Sequence, residues 1–179
     1  MTDVVAAARA RTEAAQRWER GFGIGRSNAP LWAPVPVHPG LRVDENASVQ
    51  SGAWFGALPE GLRQAILNRA RVRRAAAGTA LARRGQANSS WIGVVRGACR
   101  LGTPLSDGRS FTLDFIGPGQ WFGDIAAVDG GANALDLIAH VPSTLLEVPC
   151  FELRHLIDTH GELREGLLQL NCSRLRYMV

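Results

Sequence analysis

The sequence predicts a mainly β fold with flanking helices: an antiparallel β-roll or jelly roll of about eight strands, with one helix before it and two after it. Three observations support this prediction. Turn-forming residues recur about every 7 to 12 positions through the middle of the chain, a spacing typical of all-β sandwiches and rolls. The short segments between these turns alternate polar with apolar residues, and helical spacing returns after residue 149. The turn signals are Gly78, Gly85, Gly97, Asp107-Gly108, Gly117-Pro118-Gly119, Gly130-Gly131 and Pro142.

The clearest predicted strand covers residues 110–115, where polar and large apolar residues alternate strictly. Because successive side chains of a strand point to opposite faces, the three large side chains are expected on one face of a half-buried strand. They are Phe111, Leu113 and Phe115. Residues 135–140 alternate in the same way. The Ser-Asp-Gly sequence at 106–108 suits the turn of a hairpin.

Helices are expected on both sides of these strands. Residues 58–60 (Leu-Pro-Glu) begin a helix with proline near its first turn. Its apolar face consists of Leu62, Ile66 and Leu67. After the strands, residues 151–157 form a short helix and residues 161–177 a longer one.

The first fifty residues differ in composition from the rest. Residues 3–20 are rich in alanine and other good helix formers, so they predict a weakly held helix. Residues 21–50 are rich in glycine and proline and are expected to be an extended lead-in. The chain is therefore divided into an N-terminal helix with its lead-in (1–50), a β-roll (51–160) and a final helix (161–179).

A chain of 179 residues with 46% hydrophobic content is expected to form one compact core. No segment has the roughly 18 uninterrupted apolar residues that span a bilayer, and the N-terminus does not resemble a secretory signal. We therefore expect a cytoplasmic protein that does not contact a membrane. Three widely spaced cysteines suit neither a disulfide framework nor a zinc motif, and they are expected to be buried thiols. They are Cys99, Cys150 and Cys172.

All 20 basic residues are arginine, and most lie in the first hundred residues, whereas acidic residues outnumber basic ones in the remainder. A face that binds a polyanion would give this asymmetry, and so would a solvated basic helix. We favour the second explanation. The four arginines between positions 69 and 74 are interpreted as a solvated helix end that runs into the first strand.

Residues 117–130 read GPGQWFGDIAAVDG. Together with Gly78, Gly85 and the strand end WIGVVRG at 91–97, this segment resembles the phosphate-binding cassette of the cyclic nucleotide-binding domains of Crp/Fnr transcription regulators. The pattern of that cassette is roughly G-x-x-F-G-E, a short helix and an Asp-Gly turn. The resemblance covers about residues 53–179 and implies a cupin-like β-roll that senses a ligand.

The resemblance also assigns candidate ligand contacts. Glycine lets the backbone approach a ligand closely, and the acidic residue that follows accepts a ribose hydroxyl in the family. Asp124 stands at the acidic position and is one methylene shorter than the usual glutamate. The pocket candidates are Phe122, Gly123, Asp124, Ile125, Asn133 and Ala134.

The arginine of the cassette is missing. Where the family has Asp-Gly-x-x-Arg-Ser/Thr, residues 129–134 read DGGANA, so Asn133 replaces the arginine and Ala134 lacks the hydroxyl. Losing a charged hydrogen bond typically costs about 1.5 to 3 kcal/mol, roughly one to two decades of affinity. Cyclic AMP or GMP is therefore disfavoured as a ligand, and the pocket is expected to be empty, structural or adapted to another molecule.

The last helix is expected to mediate dimerisation. Leu163, Leu167 and Leu170 recur at the three-four spacing of a helix seam, and the resemblance implies that this helix pairs two subunits. We predict a homodimer through these leucines. The alternative is that they pack onto the roll of their own chain. A second stripe consists of Leu168, Leu175 and Met178.

Crp/Fnr regulators carry a winged helix-turn-helix domain after this helix, which reads the DNA major groove. The sequence stops at Val179 within an amphipathic pattern, so we expect a truncated regulator that contacts DNA only through a C-terminal domain missing from this chain. The alternative is a stand-alone cyclic nucleotide-binding module that regulates a partner protein such as an enzyme or a channel.

No catalytic residues and no metal ligands are predicted. The sequence has no nucleophile, base or phosphate-loop motif, so an enzyme is not expected. The four histidines are single and scattered, which favours polar surface positions over haem or metal ligation. No cysteine precedes Cys99, which argues against the N-terminal cysteine cluster that holds iron-sulfur clusters in some family members.

Overall fold

The computed structural model describes residues 35–105 and 107–178. In this part of the chain, helices come first, a series of strands follows with one short helix among them, and two further helices come last. This order confirms the predicted mainly β fold with flanking helices. The helix predicted over residues 3–20 lies outside the described residues.

Three helices precede the strands among the described residues, where the sequence predicted one. They are α1 (Val43–Ser51), α2 (Ala53–Ala57) and α3 (Glu60–Arg69). The last of these is the predicted helix, and Leu62, Ile66 and Leu67 are buried as expected.

The prediction of an extended lead-in through residue 50 was wrong where α1 forms. The glycines and prolines of the lead-in end at Gly40, ahead of this helix. Asp44 and Glu45 then occupy its first turn, where negative charge favours a helix N-terminus. The Glu45 carboxylate also accepts a hydrogen bond from the backbone N–H of Arg42 at 2.9 Å.

The strands form two four-stranded antiparallel sheets. Their bounds are β1 (Arg71–Ala75), β2 (Ala80–Ala82), β3 (Ser90–Arg96), β4 (Cys99–Pro104), β5 (Ser110–Ile116), β6 (Trp121–Phe122), β7 (Asp136–Ala139) and β8 (Ser143–Pro149). The first sheet has the order β1-β8-β3-β6 and the second has the order β2-β7-β4-β5. The turn between β4 and β5 uses Gly108 at φ +81°, as the hairpin prediction requires.

The core has two parts, one on each face of the first sheet. The interior part fills the roll between the sheets, and its main members are Ile92, Val94, Cys99, Leu101, Leu137, Ala139 and Leu145. The second part lies between the first sheet and the helices, and it includes Trp54, Phe55, Ile66, Trp91, Trp121, Leu146 and Val148. Because β3 contributes to both parts, nearly all of its side chains are buried.

The alternation predicted for β5 is interrupted. Leu101 pairs with Asp114 whereas the next residue of β4, Gly102, pairs with Thr112, so the strand carries a one-residue bulge at Leu113. A bulge reverses which face each later side chain occupies. Phe111 and Phe115 consequently lie on opposite faces, and the expectation of three large side chains on one face was wrong.

A short helix, α4 (Asp124–Asp129), follows β6, and α5 (Cys150–Thr159) and α6 (Gly161–Met178) follow β8. The two later helices were predicted. The three leucines assigned to a dimer seam are almost completely buried by their own chain, which is the intramolecular alternative. They are Leu163, Leu167 and Leu170. Little of the surface of these three leucines is left for a partner. The exposed stripe of α6 is the other one, which contains Leu168 and Leu175.

Three of the four arginines at positions 69–74 form ion pairs while 29% to 50% of each side chain stays exposed, so the solvated helix end that runs into the first strand also holds acidic residues. Folding brings acidic residues that are distant in sequence against the end of α3 and against β1. The pairs are Arg69 with Glu152 at 3.1 Å, Arg73 with Glu147 at 2.8 Å and Arg74 with Glu45 at 2.8 Å.

The expectation of buried thiols holds for one cysteine of three. Cys99 lies in the roll interior, where burial raises the pKa of its thiol to about 12. Cys150 is half-buried and Cys172 is exposed on α6. Within the described ranges, none of the helices has the length and apolar character needed to cross a bilayer.

Candidate functional site

The cassette contains the short strand β6, whose two side chains point to opposite sides of the first sheet. Trp121 packs among the helices, with its ring 4.2 Å from that of Trp91 and 5.4 Å from that of Phe55. Phe122 is in register with Ile92 and packs against the roll interior. The cassette therefore contacts both parts of the core at once.

Gly123 makes the turn from β6 into α4. Its φ is +98°, in the left-handed region that side chains with a Cβ disfavour. A Cβ there would also lie 2.8 Å from the carbonyl oxygen of Ser90. The side-chain amide of Asn88 donates to the Gly123 carbonyl at 2.7 Å, which fixes the turn against the chain that leads into β3.

Asp124 is buried, with 1% of its side chain exposed, and its partners come from the last helix. Arg174 Nη1 donates to both carboxylate oxygens, at 2.9 and 3.0 Å. The side-chain amide of Asn171 donates to Oδ2 at 2.8 Å. Arg174 Nη2 also donates to the backbone carbonyl of Trp121. A buried carboxylate needs a cation and hydrogen bonds to be stable, and α6 supplies both.

The second half of the cassette runs beside the segment before β3. Asn133 is buried, and its backbone N–H donates to the carbonyl of Gln86 at 2.9 Å. The Asn133 carbonyl accepts from the N–H of Gly85 at 2.8 Å. Ala134 is exposed, and so is Ile125 on α4.

The C-terminal end of α4 is held by the helix that follows the roll. Arg154 on α5 donates from Nε to the carbonyl of Ala127 at 2.9 Å. A cation suits this end of a helix, where carbonyl groups lack intrahelical partners. The short helix is thus attached to α6 at its first residue and to α5 near its last turn.

Comparison with protein-family models gives a match that coincides with the roll and the cassette. The model described as the cyclic nucleotide-binding domain matches residues 72–160. This part of the chain belongs to that family. This family consists of regulatory domains that bind cyclic nucleotides, and it is not a family of enzymes. No curated protein matches the sequence.

Solved structures share the fold of this cyclic nucleotide-binding domain. The catabolite activator protein of Thermus thermophilus is 24% identical with a TM-score of 0.63, and the match covers 70% of this chain and 59% of that one. The sensor domain of the transcriptional regulator DNR from Pseudomonas aeruginosa is 18% identical with a TM-score of 0.61, covering 74% and 89%. The regulatory subunit of a cAMP-independent protein kinase A from Trypanosoma brucei is 13% identical with a TM-score of 0.61, covering 69% and 44%.

The first of these comparisons also shows a difference in extent. The match spans less than two thirds of the length of the Thermus protein, whereas it spans most of the DNR sensor domain. It likewise spans 94% of the N-terminal domain of a transcriptional regulator from Streptomyces coelicolor, at 22% identity and a TM-score of 0.60. The likeness therefore concerns the roll and its flanking helices.

The fold brings some of the predicted pocket residues of the domain together and separates others. Gly123 and Asn133 both contact the segment before β3. Asn88 of that segment bonds to Gly123, and Gln86 bonds to Asn133. Asp124 turns toward α6, and Ile125 and Ala134 lie at the surface. Within the described residues, no group of three or more histidine, cysteine or acidic side chains is placed to hold a metal ion.

Sequence reasoning missed four residues that contact the cassette, namely Asn88, Arg154, Asn171 and Arg174. Two of them carried a signal in the sequence. Asn171 and Arg174 are three apart, so they lie on one face of the predicted helix, next to the leucines that bury it. An acidic residue predicted at a buried turn requires a cation, and Arg174 was a candidate.

Proposed function

We propose that the chain is the sensory and dimerising domain of a Crp/Fnr-type transcription regulator, with a degenerate cyclic-nucleotide pocket. The observation that carries this proposal is that two ligand-binding groups of the cassette are absent or already paired. Asn133 stands where the family has its phosphate-binding arginine, and the carboxylate that would face a ribose is paired with Arg174.

The interior of the roll gives independent support. Phe122 and Leu135 pack against the interior cluster of the core. Asn133, two positions before Leu135, is also buried. A nucleotide that entered the roll interior at this point would compete with these side chains for space and would bind without the arginine, whose charged hydrogen bond is typically worth about 1.5 to 3 kcal/mol. Ordinary binding of cyclic AMP or GMP is therefore unfavourable.

The contacts of α4 suggest how the domain would transmit a signal. Its first residue is bonded to α6 and its last turn to α5, so a ligand that moved the cassette would also move the last helix. Such coupling requires that the ligand favour one of two arrangements. In the proposed regulator, the last helix leads to a DNA-binding domain, and DNA is contacted only there, in the cytoplasm.

A homodimer forms part of this proposal, and the exposed stripe of α6 is the surface that would support it. Leu168 and Leu175 are 66% and 61% exposed, and they are seven positions apart, so they lie on one face of the helix. Ile125 and Val128 are exposed on α4, next to the point where Asp124 meets α6. These four side chains would pack against a second copy of the chain.

The alternative function is a cyclic nucleotide-binding module that regulates a partner protein. The likeness to the regulatory subunit of a cAMP-independent protein kinase A favours it, since that protein shares the fold at a similar TM-score. The coding sequence after Val179 discriminates between the two. A following helix-turn-helix segment supports the regulator, and a stop codon supports the module.

The proposal of a degenerate pocket is tested by calorimetric titration of the chain with cyclic AMP and cyclic GMP, beside Asn133→Arg. We expect no binding at micromolar concentrations for the wild type. If the pocket is merely uncharged, the variant gains about ten- to a hundredfold in affinity, as one restored charged hydrogen bond allows.

The matched control is Asn68→Arg, which adds the same charge on the exposed surface of α3. It is expected to bind no better than the wild type. Micromolar binding by the wild type would show that the cassette works without its arginine and would overturn the degenerate pocket.

A further inference from the structure

The second sheet has an outer face that no helix covers in the described part of the chain. Leu101 and Leu137, which are paired in register, are buried in the roll interior. Their neighbours Arg100 and Ile138, also paired, point to the opposite side and are only half-buried. The helices of the domain pack on the first sheet instead.

A cleft of about 140 Å³ lies on this outer face. Its walls come from four different segments: the turn after β2, the strands β4 and β7, and the start of β5. The side chains with polar atoms at the cleft are Arg83, Arg100, Thr103, Ser110 and Asp136.

The charges of the cleft are incompletely neutralised. Arg100 donates only a long hydrogen bond of 3.4 Å to Thr112 Oγ1, and the described part of the chain offers it no ion pair. Arg83 is 55% exposed and lies 3.9 Å from the nearest oxygen of Asp136. A half-buried guanidinium without a carboxylate is an unusual arrangement, because the desolvated charge gains little in return.

Asp136 offsets only part of this positive charge, because it is the one carboxylate among the residues that line the cleft. Its Oδ1 accepts a hydrogen bond of 2.7 Å from the backbone N–H of Arg84. The guanidinium of Arg84 also bonds to Thr103 Oγ1 at 3.2 Å, so a third positive charge lies at the rim. One carboxylate thus stands beside three guanidinium groups.

We propose that this cleft binds a small molecule through an oxyanion, a phosphate or a carboxylate group, held by Arg83 and Arg100. Guanidinium groups bind both groups through paired, charge-assisted hydrogen bonds, and the hydroxyl of Ser110 can donate a further one. The volume suits the anionic group with a few more atoms and is too small for a whole drug-sized ligand. This site lies on the outer face of the second sheet, and the inference does not depend on the proposed function.

The test is a titration of the ¹⁵N-labelled chain with inorganic phosphate and, separately, with acetate, at constant ionic strength set with chloride. We expect saturable shifts of the backbone amides of Gly102, Thr103 and Asp136. The anion that saturates at the lower concentration identifies the preferred group. Arg100→Gln is expected to weaken the binding at least about tenfold, the effect of losing one charged hydrogen bond.

The matched control is Arg96→Gln, which removes the same charge from an exposed position at the end of β3 in the other sheet. It should leave the affinity unchanged. Arg83→Gln provides a second cleft variant in case Arg100→Gln disturbs the sheet, which the spectrum of the free protein would reveal. Shifts that never saturate, or equal losses in Arg96→Gln and in the cleft variants, would overturn the proposal and indicate attraction by net charge alone.

Discussion

At the scale of single residues, two buried carboxylates are each held by an arginine from a distant part of the chain. Asp124 is bound by Arg174, and Glu45, with 2% of its side chain exposed, is bound by Arg74. The hydrogen bond from Arg74, followed by that from the Arg42 backbone, lowers the pKa of Glu45 from 4.5 to about 2, against the opposing effect of burial. Thr144 also donates to this carboxylate, which links α1 to β8.

The lowered pKa of Glu45 predicts a loss of stability in acid. A carboxylate with a lower pKa in the folded state contributes stability that is complete above its unfolded value near 4.5. That contribution is lost as the pH falls through about 2. We expect Glu45→Gln to be less stable than the wild type at pH 7 in urea unfolding, and the two curves to converge between pH 4.5 and 2. Parallel curves over this range would contradict the prediction.

At the scale of elements, the last helix has two different faces. One face is buried against its own chain by leucines and by the polar pair Asn171 and Arg174, which reach Asp124. Trp54 adds another contact, since its indole N–H donates to the carbonyl of Gly166 at 2.8 Å. The helix is therefore attached to α2 and to the cassette.

Removing Arg174 is expected to destabilise this attachment. In Arg174→Ala the buried Asp124 keeps Asn171 but loses its cation, which typically costs about 3 kcal/mol because an uncompensated charge is left behind. Chemical unfolding measures the loss, and hydrogen exchange of α6 shows where it acts. Arg164→Ala, on the exposed face of the same helix, is the control and should change stability by less than about 0.5 kcal/mol. Similar effects of both variants would show that the ion pair does not fix the helix.

At the scale of the whole molecule, the helices of the described residues cover the first sheet and leave the outer face of the second sheet and one stripe of α6 exposed. Apolar side chains that stay exposed together on adjacent elements are typical of interaction surfaces. Leu168 and Leu175 on α6 and Ile125 and Val128 on α4 are exposed, and the contact of Asp124 with Asn171 joins these two helices. Each leucine buried on association contributes about 1.5 to 3 kcal/mol.

The proposed dimer predicts a clear effect of charge on this surface. Sedimentation equilibrium should show a dimer for the wild type and a monomer for Leu168→Glu/Leu175→Glu. Phe151→Glu changes an equally exposed apolar side chain on α5 and should remain dimeric. A wild type that is still monomeric at about 100 µM would contradict the homodimer, because its affinity for itself would be weaker than that of a typical specific interface.

Much of the fold could be predicted because local patterns record which side of each element is buried. The recurring glycines located the turns, the alternation located β5 and β7, and the leucine spacing located α6. The bulge at Leu113 was not visible, since a single extra residue leaves the alternation of the sequence intact while it reverses the face of the strand. Helix α1 was missed because the composition of the lead-in was extended past Gly40.

By itself, the sequence determined the roll, the position of the cassette and the absence of its arginine at Asn133. Only the tertiary structure decided that Asp124 pairs with Arg174, 50 residues further along the chain, and which stripe of α6 is buried. The physical reason is that burial has a local period, which the sequence repeats, whereas the partner of a buried charge depends on which distant segments the fold brings into contact.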